Sequence, residues 1–390
     1  MSLRNATAVA GVGNTAYTRG TDKSAAELHL EASFKALEDA GLTPADVDGV
    51  MPAASAGRTV EDFTRNLGIR DLRFSSTKHM GGGSMIASIH DAVMAVGSGE
   101  ASCVLVSGGR LGYSSERVST GNFVREHVFD DVFEFEVPYG SPTAATWFAQ
   151  CAQRHMYLYG TTSEQMGHVS VTMREHAQLN PNALMYGKPI TLADHQASRM
   201  ITTPFRLLDC SLESDGAAAA VIVSAERARD LRKPPVYISG VGESHGYPPT
   251  SITQKPDMAF IPALQSAAKR AYDMAGITAD DLDGLYIHEG FSWFVIGTLE
   301  AIGVCKVGEG GPYVEDGNIK LGGRLPLNTN GGAMSEGHVS GMNHLAEAVR
   351  QLRGEVPAVR RIANVSTVAV VTEGNFLDGA MTVLSKDAAT

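Results

Sequence analysis

The chain carries little cysteine: four residues in 390 (Cys103, Cys151, Cys210 and Cys305), no two of them in a Cys-x-x-Cys pair. That excludes a disulfide framework and points to a reducing, cytoplasmic setting. Long apolar runs are missing too, since none approaches the ~20 residues of a membrane-spanning helix. The opening Met1-Ser-Leu-Arg-Asn lacks the apolar stretch of a secretory leader. Positive charge is in deficit, with 32 lysines and arginines against 43 aspartates and glutamates and a net charge of −11. Such a surface repels phosphate backbones, so nucleic acid is not an expected partner. There is no Walker loop, and no histidine group has zinc spacing, so no metal site is expected. The remaining composition, 43% hydrophobic and 19% charged, is that of a globular protein.

What the chain does have is an internal repeat. Residues 36–50 (ALEDAGLTPADVDGV) and 271–285 (AYDMAGITADDLDGL) align at an offset of 235 with seven identities. Upstream, Ala8–Gly13 (AVAGVG) parallels Tyr237–Gly242 (YISGVG) at an offset of 229. The reading is an α/β chain in two related halves, 1–235 and 236–390. Each runs as a strand, a Gly-x-Gly corner, a helix, an acidic turn and another strand. Ser24-Ala-Ala-Glu27 is a capping box for the first helix, and Gly41 and Gly276 suit helix ends. After His79-Met-Gly-Gly-Gly-Ser comes a small-residue apolar helix, then a buried strand at Ser102–Ser107. In the second half, the Gly-rich turn from Asn328 feeds a helix running through Arg350, and a strand follows at Val368–Val371. Residues of about 111–216 read as a long insertion in the first half, rich in aromatics and proline. Such segments carry binding specificity on a rigid scaffold.

Gly11-x-Gly13 superficially matches a dinucleotide fingerprint, but the helix begins only near Ser24 and Glu31 falls mid-helix. A structural role therefore fits better than cofactor binding. Three other segments each adjoin a predicted strand end, where α/β folds bind ligands. They are Lys78-His-Met-Gly81-Gly82-Gly83-Ser84, Tyr286-Ile-His288-Glu289-Gly-Phe291, and Asn328-Thr-Asn330-Gly-Gly-Ala-Met-Ser-Glu-Gly-His338. The glycines suit tight turns and close packing. Equally, they suit backbone amides at a helix N-terminus that hold an oxyanion. His288, beside Glu289 at a strand end, and His338, after a double glycine, are candidate acid/base residues.

Together the duplication, the Gly-rich turn, the HEGF and NTNGGAMSEGH segments and the Asp215-Gly-Ala sequence resemble the thiolase superfamily. Lys188-Pro-Ile-Thr-Leu-Ala-Asp-His-Gln and Pro204-Phe-Arg-Leu-Leu-Asp-Cys-Ser are similar to its sterol-carrier-protein-x, or lipid-transfer-protein, branch. So is Gly308-Glu-Gly-Gly-Pro-Tyr-Val-Glu-Asp-Gly. The resemblance spans nearly the whole chain. It implies a thiolase fold, a duplicated αβαβα five-layer architecture, with a homodimer and an acyl-CoA ligand. Coenzyme A would enter as part of the substrate and no other cofactor is implied. By the same alignment Gly81 stands where a thiolase has its nucleophilic cysteine. Thr372, in Val371-Thr-Glu-Gly374-Asn, stands at or beside the second cysteine, on the loop after the last strand. His288-Glu-Gly-Phe matches the family's Asn-Glu-Ala-Phe, and Gly337-His338 its Gly-His. Some members of the branch without these cysteines resemble aldolases that cleave β-hydroxyacyl-CoA thioesters beside an OB-fold and zinc-ribbon partner. Those carry tyrosines at the positions of His288 and His338.

A glycine cannot form an acyl-enzyme. The expectation is therefore an acyl-CoA enzyme that makes or breaks a C–C bond beside a thioester, by a retro-aldol step, without a covalent cysteine intermediate. His288 and His338 would be catalytic, with Gly81, Gly82, Gly83, Glu289, Asn330 and Gly374 in oxyanion and substrate binding. Ser84 is a less favoured nucleophile. A non-catalytic acyl-CoA or lipid-binding scaffold for a partner subunit, and an acetyl-CoA acetyltransferase, are the alternatives. The apolar Ser102–Ser107 run is expected to be a sheet edge covered by a second copy.

Overall fold

Alternation along the strands decides the layering. A computed structural model describes residues 3–53, 60–115, 117, 130–248, 252–374 and 377–388. Its strands are β1 (Thr7–Asn14), β2 (Gly49–Pro52), β3 (Phe74–Ser75), β4 (Cys103–Leu111), β5 (Met200–Thr202), β6 (Phe205–Arg206), β7 (Asp215–Ser224), β8 (Val236–Ser244), β9 (Gly284–Ile287), β10 (Thr367–Glu373) and β11 (Gly379–Ser385). Nine of them form one sheet in the order β3-β2-β4-β7-β1-β8-β11-β10-β9. Outward from the β1–β8 seam the two wings read alike. β1, β7 and β4 run antiparallel and β2 joins parallel; β8, β11 and β10 run antiparallel and β9 joins parallel.

Successive side chains of a strand face opposite ways, so each strand feeds two cores. Val104 and Val106 of β4 and Val368 and Val370 of β10 enter a shared central core. Cys103 and Leu105 turn to the outer core of one wing, and Ala369 and Val371 to that of the other. The Ser84–Ser98 and Met342–Arg353 helices occupy the central layer and touch strands of both wings. Ala25–Ala40 covers the outside of the first wing, and Pro262–Ala275 the outside of the second. This is the expected five-layer arrangement, except that pairing of Thr7–Val9 with Val236–Ile238 joins the two sheets into one.

The identities of the repeat perform the same tasks twice. Gly41 (φ 74°) and Gly276 (φ 69°) end their helices in the left-handed conformation that glycine adopts without strain. Next, the Asp46 carboxylate accepts from the Thr43 amide at 2.9 Å, and Asp281 from Thr278 at 2.8 Å. Asp48 then accepts from the amides of Ser102 and Cys103, and Asp283 from those of Ser366 and Thr367. Each half thus anchors the start of its long central strand with the same aspartate.

Four expectations change. The Gly-x-Gly pairs are not corners but lie inside β1 and β8, where a helix presses onto the strand. A Cβ on Gly11 would come within 2.2 Å of Ala36 O, and one on Gly242 within 1.9 Å of Ala267 O. β4 lies between β2 and β7, so its apolar run is buried inside the sheet and is not an edge. Thr372 lies inside β10, and another strand follows it. Finally, the predicted helix through Arg350 is two helices, Gly332–Ser335 and Met342–Arg353. They are parted by a loop in which Ser340 (φ 53°) and Gly341 (φ 83°) reverse the backbone.

The inserted stretch, described only in part, contributes the Ala144–Tyr159 and Ser163–Ala177 helices and the β5–β6 hairpin. Trp147 and Phe148 pack with Phe291, Trp293 and Phe294 of the second half. Gly242→Ala should lower the midpoint of urea unfolding by the equivalent of about 1–3 kcal/mol, the usual cost of forcing an added methyl into a packed contact.

Candidate active site

Three chain segments meet at one end of the central layer. The first follows β9, whose register with β10 is extended by the His288 amide donating to Val371 O at 3.0 Å. The second is the Gly81–Gly83 turn that opens the Ser84–Ser98 helix. The third is the Asn328–Gly341 stretch leading into the other central helix. Glu289 binds two of them together. Its buried carboxylate accepts from Asn328 Nδ2 at 2.7 Å and from the Met334 amide at 3.1 Å, and sits 2.9 Å from His344 Nε2. Asn328 in turn accepts from the Ile287 amide and donates to Ile287 O.

This framework brings His288 and His338 together edge to edge, their rings tilted by 38°. Their Nε2 atoms are 2.8 Å apart, so one proton lies between the two rings. His338 Nδ1 is 3.3 Å from Ser211 Oγ, and the His338 amide donates to Ser214 Oγ at 2.8 Å. On the far side, His288 Nδ1 lies 3.5 Å from Glu373 Oε1, a distance without hydrogen-bond alignment. Burial of the His338 ring, together with the Arg110 guanidinium and the His288 and His344 rings, holds its pKa well below the usual histidine value. Burial pushes the Glu373 carboxyl up, opposed by His288.

The histidines open on a cavity of about 1090 Å³. Its walls mix apolar side chains (Met85, Phe148, Leu208, Phe291, Phe294 and Met334) with cationic ones (Arg19, Lys78, Arg110, Arg174 and Arg199). Gly81 and Gly82 line it, and their amides have no hydrogen-bond partner among the described residues. They stand beside the N-terminus of a 15-residue helix, where an anionic oxygen is favoured.

Not every candidate is free to bind in the cavity, although Gly374 also lines it. The Gly83 amide is committed to Met80 O at 3.0 Å and that of Gly374 to Asp378 O at 2.9 Å, so neither is a free oxyanion donor. Glu289 and Asn330 are wholly buried behind the histidines and outside the cavity wall. Asn330 accepts from the Gly332 amide at 3.2 Å and donates to Glu336, which also receives Asn180 Nδ2 and Asn343 Nδ2. Both residues hold the site's shape. Conversely, sequence reasoning passed over Glu373 and Ser211. It also gave no reason to put Cys210 in the cavity wall, where burial pushes its thiol up to about 12.

Two positions of the turn resist a side chain. Gly81 has φ 55°, a conformation L side chains rarely adopt. A Cβ on Gly82 would lie 2.5 Å from His288 Cε1 and 2.9 Å from Glu373 O.

Residues 242–387 match the family described as Thiolase C-terminal domain-like. Over 394 residues the chain is 37% identical to a steroid side-chain-cleaving aldolase of Thermomonospora curvata, covering 99% of each. It is 40% identical over 379 residues to a 17-hydroxy-3-oxo-4-pregnene-20-carboxyl-CoA lyase of Mycobacterium tuberculosis, covering 94% of this chain and 96% of that one. A solved Ltp2-ChsH2(DUF35) aldolase superposes with a TM-score of 0.92 at 37% identity, covering 100% of both chains.

The depressed His338 pKa has a stability consequence. The unfolded chain, with a histidine pKa near 6.5, binds a proton that the folded chain resists. That contribution is complete above pH of about 6.5 and is lost as pH falls from there toward the lower folded value. Stability measured by urea unfolding should therefore fall between about pH 7 and pH 5.5, and the fall should be shallower in His338→Gln.

Proposed function

The chain belongs to the thiolase superfamily, in its sterol-carrier-protein-like branch, and we propose that it cleaves a β-hydroxyacyl-CoA thioester by a retro-aldol reaction. The observation that carries this reading is the His288–His338 contact at 2.8 Å inside a large, partly cationic cavity. On a chain of net charge −11, a wall bearing four arginines and a lysine suits the phosphates of coenzyme A. The apolar part suits a bulky acyl group. We place the substrate in the class named for the two relatives, the CoA thioester of a steroid side chain.

The mechanism follows from proton accounting. The histidine pair takes the proton of the β-hydroxyl, and that oxygen becomes the carbonyl of a released ketone or aldehyde. The Cα–Cβ bond breaks, and its electron pair passes into the thioester as an enolate. The Gly81 and Gly82 amides receive the enolate oxygen. The pair then returns a proton to Cα, which leaves a shortened acyl-CoA. One proton is taken and one given, and nothing is oxidised or reduced. No metal or further cofactor is needed.

Acyl transfer through a cysteine is disfavoured by the thiols themselves. Burial raises those of Cys103, Cys210 and Cys305 to about 12 and that of Cys151 higher still. A thiolate nucleophile is therefore scarce at neutral pH.

We further infer a partner chain, supported by the name of the solved relative, which joins Ltp2 to ChsH2(DUF35). A homodimer remains part of the proposal on family resemblance. We place the protein in the cytoplasm, supported by its four free cysteines. No helix among the described residues is long and apolar enough to cross a membrane.

His338→Ala and His288→Ala should each lower the rate of release of shortened acyl-CoA from a β-hydroxyacyl-CoA by roughly two to four decades. The double variant should lose less than the product of the two single losses, because both rings share one proton. A thioester adduct trapped on the wild-type protein and detected by mass spectrometry would overturn the mechanism.

A further inference from the structure

Among the described residues, buried carboxylates are supplied with donors, and one is not. Glu289 is held by Asn328 Nδ2, the Met334 amide and His344. Glu336 receives three asparagine amides. Glu347 takes Thr329 Oγ1 and the Arg360 guanidinium. Glu373 is buried to the same degree and lines the cavity, yet neither of its carboxylate oxygens has a hydrogen-bond partner among the described residues. A buried carboxylate without donors is costly, and native structures rarely leave one. His288 Nδ1, likewise without a partner, lies 3.5 Å from Glu373 Oε1. The two unpartnered side chains are thus neighbours at ion-pair distance, with the other nitrogen of the ring held by His338.

We propose that Glu373 is the counter-charge of the His288–His338 pair, compensating the positive charge the pair acquires when it takes up a proton. This rests on the retro-aldol reading for the source of that proton, the β-hydroxyl, but not for the electrostatics. Left to itself the pair is a poor base, because its surroundings are desolvating and the Arg110 guanidinium opposes a second positive charge. A carboxylate at 3.5 Å from Nδ1 supplies what the pair lacks. On proton uptake His288 Nδ1–H donates to Glu373, His288 Nε2 and His338 Nε2 share the remaining proton, and the site stays near neutral overall. When the proton goes to Cα, the contact relaxes. Glu373 thus acts through His288 and is a positioning residue. The other charged and titratable groups around it are Glu289 and His288 on the loop after β9, His338 and His344 near the start of the Met342–Arg353 helix, Arg110 on β4, and Asp378 before β11.

The test is Glu373→Gln in the full chain, an isosteric change that removes the charge. Ring ¹⁵N shifts of His288 and His338, followed against pH without substrate, should show the pair's protonation midpoint lowered by about one unit or more. In turnover of β-hydroxyacyl-CoA, kcat at neutral pH should fall roughly ten- to a hundredfold, with KM within about twofold, and the acid limb of the profile should move to lower pH. Glu373→Asp, which keeps the charge at a greater distance, should show a smaller shift in the same direction. It serves as the test if the Gln variant does not fold. An unchanged midpoint overturns the proposal. So does a raised KM with unchanged kcat, which would make Glu373 a substrate contact only. If the midpoint moves but the wild-type protein cleaves no β-hydroxyacyl-CoA, the counter-charge stands and the retro-aldol reading falls.

Discussion

The geometry of the site depends on one buried carboxylate. Glu289 stands next to His288 in sequence but turns away from the cavity, toward the interior. There it gathers Asn328, Met334 and His344, which tie the loop after β9 to the Asn328–Gly341 stretch and to the second central helix. Removing one partner from such a network typically costs about 3–5 kcal/mol, because a charge is left buried without compensation. That penalty keeps the loop from sampling other conformations. His288 can then meet His338 at hydrogen-bond distance although 50 residues separate them in the chain. Glu336 does comparable work behind the Gly337-His338 turn, with its three asparagines.

Whatever is locally encoded could be read from the sequence. The repeat signals itself through Gly41 and Gly276, Thr43 and Thr278, Asp46 and Asp281, Asp48 and Asp283. Each identity is a cap or an anchor whose geometry needs that residue type. His288 and His338 stood out because each sits beside a turn at the end of an element. Tertiary placement was harder to read. The β4 run is equally apolar at a covered edge or between two strands, and only the strand order distinguishes the two. Gly11 and Gly13 serve helix contact rather than a corner, which depends on how closely Ala25–Ala40 approaches. Glu373 is one of 43 acidic residues, and nothing nearby in sequence marks it. What singles it out is the absence of donors to it among the described residues.

The inserted stretch and the cavity illustrate a division of labour. The duplicated sheet and its central helices set the reacting groups, whose positions are fixed by backbone register and buried polar contacts. Much of the cavity wall beyond them comes from the insertion, including Phe148, Arg174, Arg199 and Leu208. The wall can therefore vary there with little effect on the histidine pair, except at Ser211 and Ser214, which hydrogen-bond His338.

The crowded turn at Gly81 and Gly82 has a consequence for how such a site can change over generations. The space where a side chain at position 82 would begin is already filled by the His288 ring, and the backbone at position 81 is one that only glycine adopts with ease. The imidazole and a side chain at position 82 compete for one volume. A side chain at position 82 can be acquired only if the imidazole moves or is lost. The histidine form is therefore held in place by its neighbours as well as by its own chemistry.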